Sequence, residues 1–513
     1  MTDSESMIPA GGEPLDKFSV ASVYAELLSR APENKMEPRM EPMRMAMDVL
    51  GEPNRSAPVI HLTGTNGKTS TARMIEAGLL AHDLRVGRYT SPHLSKVTER
   101  ICIDGRPVDD DTFVRIWDEI RPHLTLVDHQ LEAQGEVPLT YFECVTILAF
   151  AIFADAPVDV MVLEVGLGGI TDATNVADGT VSVVTPISLD HTDLLGDTER
   201  DIALEKAGII KEDGFLISAA QVPDAADVLL ETAREKGAQY RFEGVEFGVE
   251  SRVPGVGGQQ VTVQGIAGRY PDILLPLHGA HQAENFAVAV SALEAFIGGG
   301  QQELNIENLQ LAAENITSPG RLETLRTGPS IVVDAAHNPA GIEASAQALK
   351  ESFGLAQLVL VVGILQEKDA REILTTLYRE YDGMVEDICL TQSTSPRSIP
   401  AADLAALAVD VGFREEDIHI TERLDEAIDW AVGRSDASDS GDAGGVLITG
   451  SITVVGEART LLGAPEAEEI DTGAAAQPTS RPDAADLSDV DLGRFGIEDV
   501  RPEDGEEDLD GPA

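Results

Sequence analysis

Between positions 58 and 71 a short β-branched run breaks into a glycine-punctuated loop and then a helix: Pro58-Val-Ile-His-Leu-Thr-Gly64-Thr65-Asn66-Gly67-Lys68-Thr69-Ser70-Thr71. Such a loop is suited to holding a phosphate. Gly64 and Gly67 permit the tight turn that aims backbone N–H groups inward, the following helix (68–81) presents its positive end, and Lys68 adds a charge. Thr69 or Ser70 then offers a hydroxyl to Mg²⁺. The longer pattern G-x-x-x-x-G-K-[ST] is not met, because position 62 is Leu62, whereas the shorter G-T-x-G-K-T fits. Taken alone, the string also suits an ordinary strand-to-helix turn, so its surroundings must decide.

Three further groups end predicted strands, which is where open α/β sheets bind ligands. Glu164 precedes Gly166-Leu-Gly168-Gly169 and is a natural Mg²⁺ ligand, since Mg²⁺ takes one or two protein oxygens together with phosphates and water; a capping Glu is the plainer alternative. Asp190-His191-Thr192-Asp193 follows the next strand, with His191 suited to ligating a second cation or holding a nucleophile. Asp334-Ala-Ala-His337-Asn338-Pro339 repeats the arrangement late in the chain. Asn285 and Arg321 lie just before that last segment, Arg321 either salt-bridging at a hinge or reaching phosphates on closure. Lys206, on a charge-rich helix, reads most simply as an exposed lysine paired with a nearby carboxylate.

The elements that position these groups alternate. Helical spacing marks 18–30 and 40–50; then come the strand and phosphate loop, its helix, and a strand at 85–90 ending in Ser91-Pro92-His93-Leu94. Helices follow at 110–133 and 140–155, the second apolar nearly all round, and strands at 158–165 and 181–187, with a helix at 199–210. Residues 238–278 are β-rich, and 282–297 is helical. From 321 the alternation restarts, with strands at 331–335, 358–362, 385–390 and 446–448 and helices at 341–352, 370–381, 401–411 and 424–432. This predicts an α/β protein: a disordered start (1–16), an ATPase-type domain with a doubly wound, mostly parallel sheet (17–318), a smaller Rossmann-like domain (319–463) and an acidic disordered tail (464–513).

The 513 residues carry a net charge of −52, of which residues 466–510 supply −13 through 16 acidic and three basic residues. A chain this acidic repels nucleic acid and anionic membranes, and neither is expected as a partner. The charge reads as solvation of a surface adapted to high intracellular salt, with a cation-binding or decoy surface as the functional alternative. Lysine is scarce, nine against 28 arginines, yet Lys68, Lys96, Lys206, Lys211 and Lys368 all fall in or beside the motifs. Cys102, Cys144 and Cys389 have neither disulfide-framework nor zinc spacing. No apolar run approaches the ~18 residues of a membrane span and the N-terminus lacks signal-peptide character, so a cytoplasmic location is expected.

Together the motifs resemble the Mur ligase superfamily, and within it the folylpolyglutamate synthase/dihydrofolate synthase family. The resemblance runs from about residue 19 to 463. It rests on the loop Gly64–Thr69, Ser91-Pro-His-Leu94, Thr140-Tyr-Phe142-Glu143, Glu164-Val-Gly-Leu-Gly-Gly169, Asp172-Ala-Thr-Asn175, Asp190-His-Thr-Asp193, Glu205-Lys-Ala-Gly-Ile209, His278-Gly-Ala-His-Gln-Ala-Glu-Asn285, Pro319-Gly-Arg321 and Asp334-Ala-Ala-His-Asn338. It implies an ATP-dependent amide ligase: an acceptor carboxylate, of dihydropteroate or a reduced folate, takes the γ-phosphate, and the amine of L-glutamate displaces the acyl phosphate. It further implies that residues 64–70 hold ATP, that Ser91 and Glu164 bind one Mg²⁺ and His191 helps bind another, and that Lys206 is carbamylated. Asn285, Arg321, Asp334 and His337 would contact ATP or line the interdomain cleft, and Thr140, Phe142 and Asp172 would touch the pterin-bearing substrate. The expected enzyme is a monomer. One departure stands out: Ile170-Thr171 replaces the Arg that usually follows the second glycine. Rival readings are another Mur-type ligase and a nucleotide-gated binding module.

Overall fold

The computed structural model describes residues 19–32, 39–436 and 444–465. The segments expected to be disordered, 1–16 and 464–513, lie outside these apart from residues 464 and 465. The first sheet has eight strands: β1 (Val59–Thr63), β2 (Val86–Tyr89), β3 (Ile101–Ile103), β4 (Arg106–Pro107), β5 (Val160–Glu164), β6 (Gly179–Val184), β7 (Phe215–Ser218) and β8 (Gln239–Phe242). Their order is β4-β3-β2-β5-β1-β6-β7-β8. The six strands from β2 to β8 run parallel, and β3 and β4 extend the β2 edge antiparallel. The chain leaves β1 in one direction and later returns to its other side, so the C-terminal ends of β5, β1 and β6 lie next to one another at a switch point.

β1 is buried along its whole length, as an interior strand covered on both faces must be. Ile60 and Leu62 face the helices Lys68–Ala81 and Ala280–Gly298, while Val59 faces Asp110–Gln134 and Tyr141–Asp155. A Cβ at Gly78 would lie 2.2 Å from Leu293 Cδ1, so the glycine makes room for Leu293 where the first pair of helices packs. Tyr141–Asp155 is apolar nearly all round and buried to match, and Thr140 and Glu143 form a capping box at its start. The β-rich stretch is an antiparallel meander, β9 (Gly248–Gly255), β10 (Gly258–Gln264) and β11 (Arg269–Leu275), whose apolar face packs on Ala280–Gly298.

The second sheet contains β12 (Glu323–Thr327), β13 (Ser330–Asp334), β14 (Gln357–Val362), β15 (Val385–Leu390), β16 (Ile418–Ile420) and β17 (Gly444–Thr449), ordered β12-β13-β17-β14-β15-β16. All but β12 are parallel. Helices cover both faces, Pro339–Ser352, Ala370–Glu380 and Ala401–Val411 on one and Leu424–Asp436 and Ile452–Leu461 on the other. The α/β class with two mostly parallel sheets is therefore the one the alternation predicts. Periodicity missed the short strands β3, β4, β7, β12 and β16, which are two to five residues long. It also missed the helices Pro223–Glu235, Ile306–Glu314 and Ile452–Leu461. The first of these carried a readable signal: Pro at the first helical position, Asp224 in the first turn, and buried Ala225, Val228 and Leu229.

One buried ion pair ties the phosphate-loop helix to the strand that delivers Ser91. Arg88 Nε donates to Glu76 Oε2 at 2.6 Å, the side chains being 1% and 0% exposed, and Gly105 N donates to Glu76 Oε1 at 3.1 Å. Removing one partner strands the other charge in a dry site. Glu76→Gln is expected to lower unfolding free energy by about 3 kcal/mol, read as a fall in the urea midpoint at unchanged slope.

Candidate active site

The phosphate loop is held by contacts that need its glycines. Gly64 has φ +143° and Gly67 +88°; a Cβ would fall 1.9 Å from Thr185 Oγ1 at the first and 2.5 Å from Asn285 Oδ1 at the second. Thr65 N donates to Pro186 O at 2.9 Å, and Thr65 Oγ1 donates to Ser188 O at 3.0 Å, fastening the loop to the segment after β6. Two lysines then converge on one carbonyl: Lys68 Nζ lies 3.1 Å and Lys206 Nζ 2.8 Å from Gly64 O. The plain reading of Lys206 as an exposed, carboxylate-paired residue is overturned, since it is 4% exposed and its partner is that carbonyl. Burial, with Lys68 nearby, lowers its pKa to about 7.

Glu164, 1% exposed at the end of β5, faces the loop. Thr69 Oγ1 lies 2.9 Å from both of its oxygens and donates to the carboxylate, and Ser91 N donates to Oε2 at 3.3 Å. Burial raises its pKa, against the opposing pull of Lys68 and the Thr69 hydroxyl. Ser70 Oγ, by contrast, pairs with Ser318 Oγ at 2.8 Å, so of the two candidate hydroxyls it is Thr69 that meets the carboxylate. Among the described residues no three His, Cys, Asp or Glu side chains gather to hold a metal unaided. The donors fit Mg²⁺ all the same: a buried carboxylate beside two hydroxyl-bearing residues, Thr69 and Ser91, leaves positions for phosphate and water.

Asp190 and His191 follow β6, and the second domain meets them. Lys368 Nζ lies 2.7 Å from Asp190 Oδ1 and 3.1 Å from His191 Nε2. Burial and Lys368 lower His191 to about 4, leaving a neutral imidazole whose Nε2 accepts. His337 Nδ1 donates to Ala335 O at 2.9 Å, which leaves its Nε2 as the acceptor. Asp334 is 5% exposed and accepts from Leu322 N and Ala336 N, both at 2.9 Å, so it fixes the β13 loop. Asn285 sits against Gly67, and Arg321 bonds Gly320 O at 3.2 Å. Gly64 to Ser70, Ser91, Glu164, His191, Lys206, Asn285, Arg321, Asp334 and His337 all line one cavity of about 240 Å³ between the domains.

Thr140, Phe142 and Asp172 lie outside that lining and are 5%, 3% and 1% exposed. Thr140 is occupied as a helix cap, and Phe142 lies against Gly166, where a Cβ would be 2.4 Å from its ring. Asp172 accepts from Gly166 N and Leu167 N at 3.0 Å and from Thr174 N at 2.9 Å. In this conformation Phe142 and Asp172 support the 166–169 loop from beneath, and none of the three offers a surface to the cavity. Spacing assigned no role to Asp190, Asn338 or Lys368. Lysine scarcity was the one signal for Lys368, and it gave a residue but no partner.

Residues 320–452 match the family described as Mur ligase, glutamate ligase domain, and residues 115–293 match the Mur ligase middle domain. A Mycobacterium tuberculosis protein named dihydrofolate synthase/folylpolyglutamate synthase is 43% identical over 481 residues, spanning 90% of this chain and 97% of the relative. The M. tuberculosis folylpolyglutamate synthase structure complexed with ADP and AMPPCP superposes with a TM-score of 0.82 at 42% identity, covering 87% of this chain and 99% of that one. An Escherichia coli structure in complex with DHPP and ADP gives 0.73 at 29%, covering 87% and 98%.

Gly67→Ala tests the loop. Its φ and the Asn285 contact both oppose a side chain. Nucleotide affinity by calorimetry is expected to fall about tenfold or more, while the circular dichroism spectrum is retained.

Proposed function

The chain belongs to the folylpolyglutamate synthase/dihydrofolate synthase family of Mur ligases and is an ATP-dependent glutamate ligase acting on folates; we propose that it forms the amide through an acyl phosphate, on dihydropteroate, on reduced folates, or on both. The observation that carries this reading is the Thr69–Glu164 contact beside Lys68 and Lys206 at one phosphate loop. Phosphoryl transfer asks for positioning and charge neutralisation more than for a protein nucleophile.

In this reading residues 64–70 cradle the triphosphate, their N–H groups and Lys68 drawing charge toward the β- and γ-phosphates. Thr69, Ser91 and Glu164 would hold one Mg²⁺, and His191 with a carbamylated Lys206 a second; when bound, the ions neutralise phosphate charge and align the γ-phosphate. The acceptor carboxylate attacks the γ-phosphorus, the bond to the ADP oxygen breaks, and an acyl phosphate results. The neutral amine of L-glutamate then attacks the acyl carbon, phosphate leaves, and the amine proton passes to solvent or to a basic group. Asn285, Arg321, Asp334 and His337 contact the nucleotide or shape the cleft, which excludes water from the acyl phosphate. The acceptor lies along the 166–170 loop, which Phe142 and Asp172 support from below, with Thr140 capping the helix that carries Phe142 and Ile170 leaving the rim uncharged. We further place the enzyme in the cytoplasm as a monomer, and ascribe its −52 charge to a surface adapted to high salt.

Phosphate release from ATP in high salt with L-glutamate tests the substrate assignment. Release is expected with dihydropteroate, with tetrahydrofolate or with both, and little without an acceptor; silence with both, from protein that binds ATP, would sink it. Lys206 tests the carbamate. Its amine reacts with CO₂ only when neutral, so with a pKa of about 7 bicarbonate-dependent activity should be full well above that pH and fall as the pH drops through it. Lys206→Ala should regain part of its turnover from small carboxylates and Lys206→Arg none; equal loss without rescue removes the carbamate.

A further inference from the structure

Two groups of the second domain donate to one carboxylate of the first. Lys368 Nζ donates to Asp190 Oδ1 at 2.7 Å and Oδ2 at 3.0 Å, and Asn338 Nδ2 donates to Oδ2 at 3.2 Å. Lys368 is separated from Asp190 by 178 positions, and the two side chains are 10% and 12% exposed. Asn338 does a second thing. Its amide exchanges bonds with that of Asn66 in the phosphate loop, at 3.0 and 3.1 Å, while its Oδ1 also caps the helix Pro339–Ser352 through Gly341 N. Asn338 and Lys368 belong to the loops after β13 and β14, and Asp190 to the loop after β6. The C-terminal edges of the two sheets thus face each other, joined at Asp190.

Charge makes such a joint necessary. The cleft holds Lys68 and Lys206 from the first domain and Arg321 from the start of the second, and closure adds Lys368 to them. Without an anion on the first domain's side, approach of Lys368 would be opposed by like charges in a poorly hydrated space. Glu164 cannot serve, being engaged by Thr69 and Ser91.

We propose that Asp190 is a positioning residue for ligation: with Lys368 as its counter-charge and Asn338 as its link to the phosphate loop, it latches the second domain over the nucleotide site and so sets the population of the closed, glutamate-accepting form. Its effect on kinetics rests on the ligase reading above, but the latch itself is a property of the domains. Closed enzyme binds the last substrate, so the apparent affinity for glutamate scales with the closed fraction.

Distances between spin labels at Val245→Cys and Ile420→Cys, on the two domains and 79% and 48% exposed, report closure; the native Cys102, Cys144 and Cys389 are buried. Asp190→Asn and Lys368→Met are each expected to broaden the nucleotide-free distribution toward longer distances, and AMPPCP to narrow it again. KM for glutamate should rise about tenfold with kcat within about threefold, and the double variant should be no worse than the worse single one, as a shared contact requires. Unchanged distances, additive losses, or a fall in kcat at unchanged KM and distances would overturn the proposal, the last assigning Lys368 directly to the reactants. If the protein turned over no folate, the distances alone would still decide. If Asp190→Asn failed to fold, Lys368→Met would carry the same readouts.

Discussion

A chain of net charge −52 collects Lys68, Lys206, Arg321 and Lys368 in one cleft, and much of the structure follows from keeping those cations together. Lys68 and Lys206 share the Gly64 carbonyl at 3.1 and 2.8 Å, so their nitrogens are at most about 6 Å apart. At an effective dielectric of 20, two like charges at that separation repel by about 3 kcal/mol. Burial first, and Lys68 after it, lower the affinity of Lys206 for a proton, while Glu164 at the end of β5 and Asp190 in the loop after β6 supply the compensating anions. A triphosphate is the ligand that relieves such a site.

Those anions depend on topology. Because β1 lies between β5 and β6, three strands end side by side, and each contributes one part: the loop, a carboxylate, and the Asp190-His191 pair. The second sheet offers the same kind of edge, with Asp334 to Asn338 after β13 and Lys368 after β14. Arg73 donates to Thr317 O at 2.8 Å and Ser70 pairs with Ser318, so the linker between the sheets is fastened to the phosphate-loop helix itself. A change at the loop therefore has a short covalent and hydrogen-bonded route to the hinge.

The sequence made the first-domain chemistry legible because each group follows a buried apolar run directly: Gly64 follows Val59–Thr63, and Glu164 ends Val160–Glu164. What it concealed is pairing across distance. Nothing in a string of residues says that Asn66 meets Asn338 or that Asp190 meets Lys368, 272 and 178 positions away. Burial was concealed too, and it reverses the sense of one residue. Lys206 sits on a helix whose composition is that of a solvated surface, yet Gly169 packs so tightly on it that a Cβ would lie 3.0 Å from Lys206 Cα.

The 166–170 loop shows how such concealed residues can still govern a neighbouring loop. Asp172 Oδ1 accepts the Thr174 hydroxyl at 2.5 Å, so Thr174 Oγ1 must itself accept from His61 Nε2–H, 2.8 Å away. His61 is fully buried, and burial, with Lys211 adding to it, lowers its pKa to about 3 and holds it neutral, its Nδ1 having no partner among the described residues. An unpaired buried acceptor costs about 1–3 kcal/mol, so the chain His61–Thr174–Asp172 is kept despite a penalty. What that penalty secures is the placing of Gly166 N and Leu167 N on Asp172 Oδ2, from a strand that also launches the phosphate loop. The phosphate loop and the 166–170 loop are thereby held by one buried strand-to-loop network, which fixes their separation.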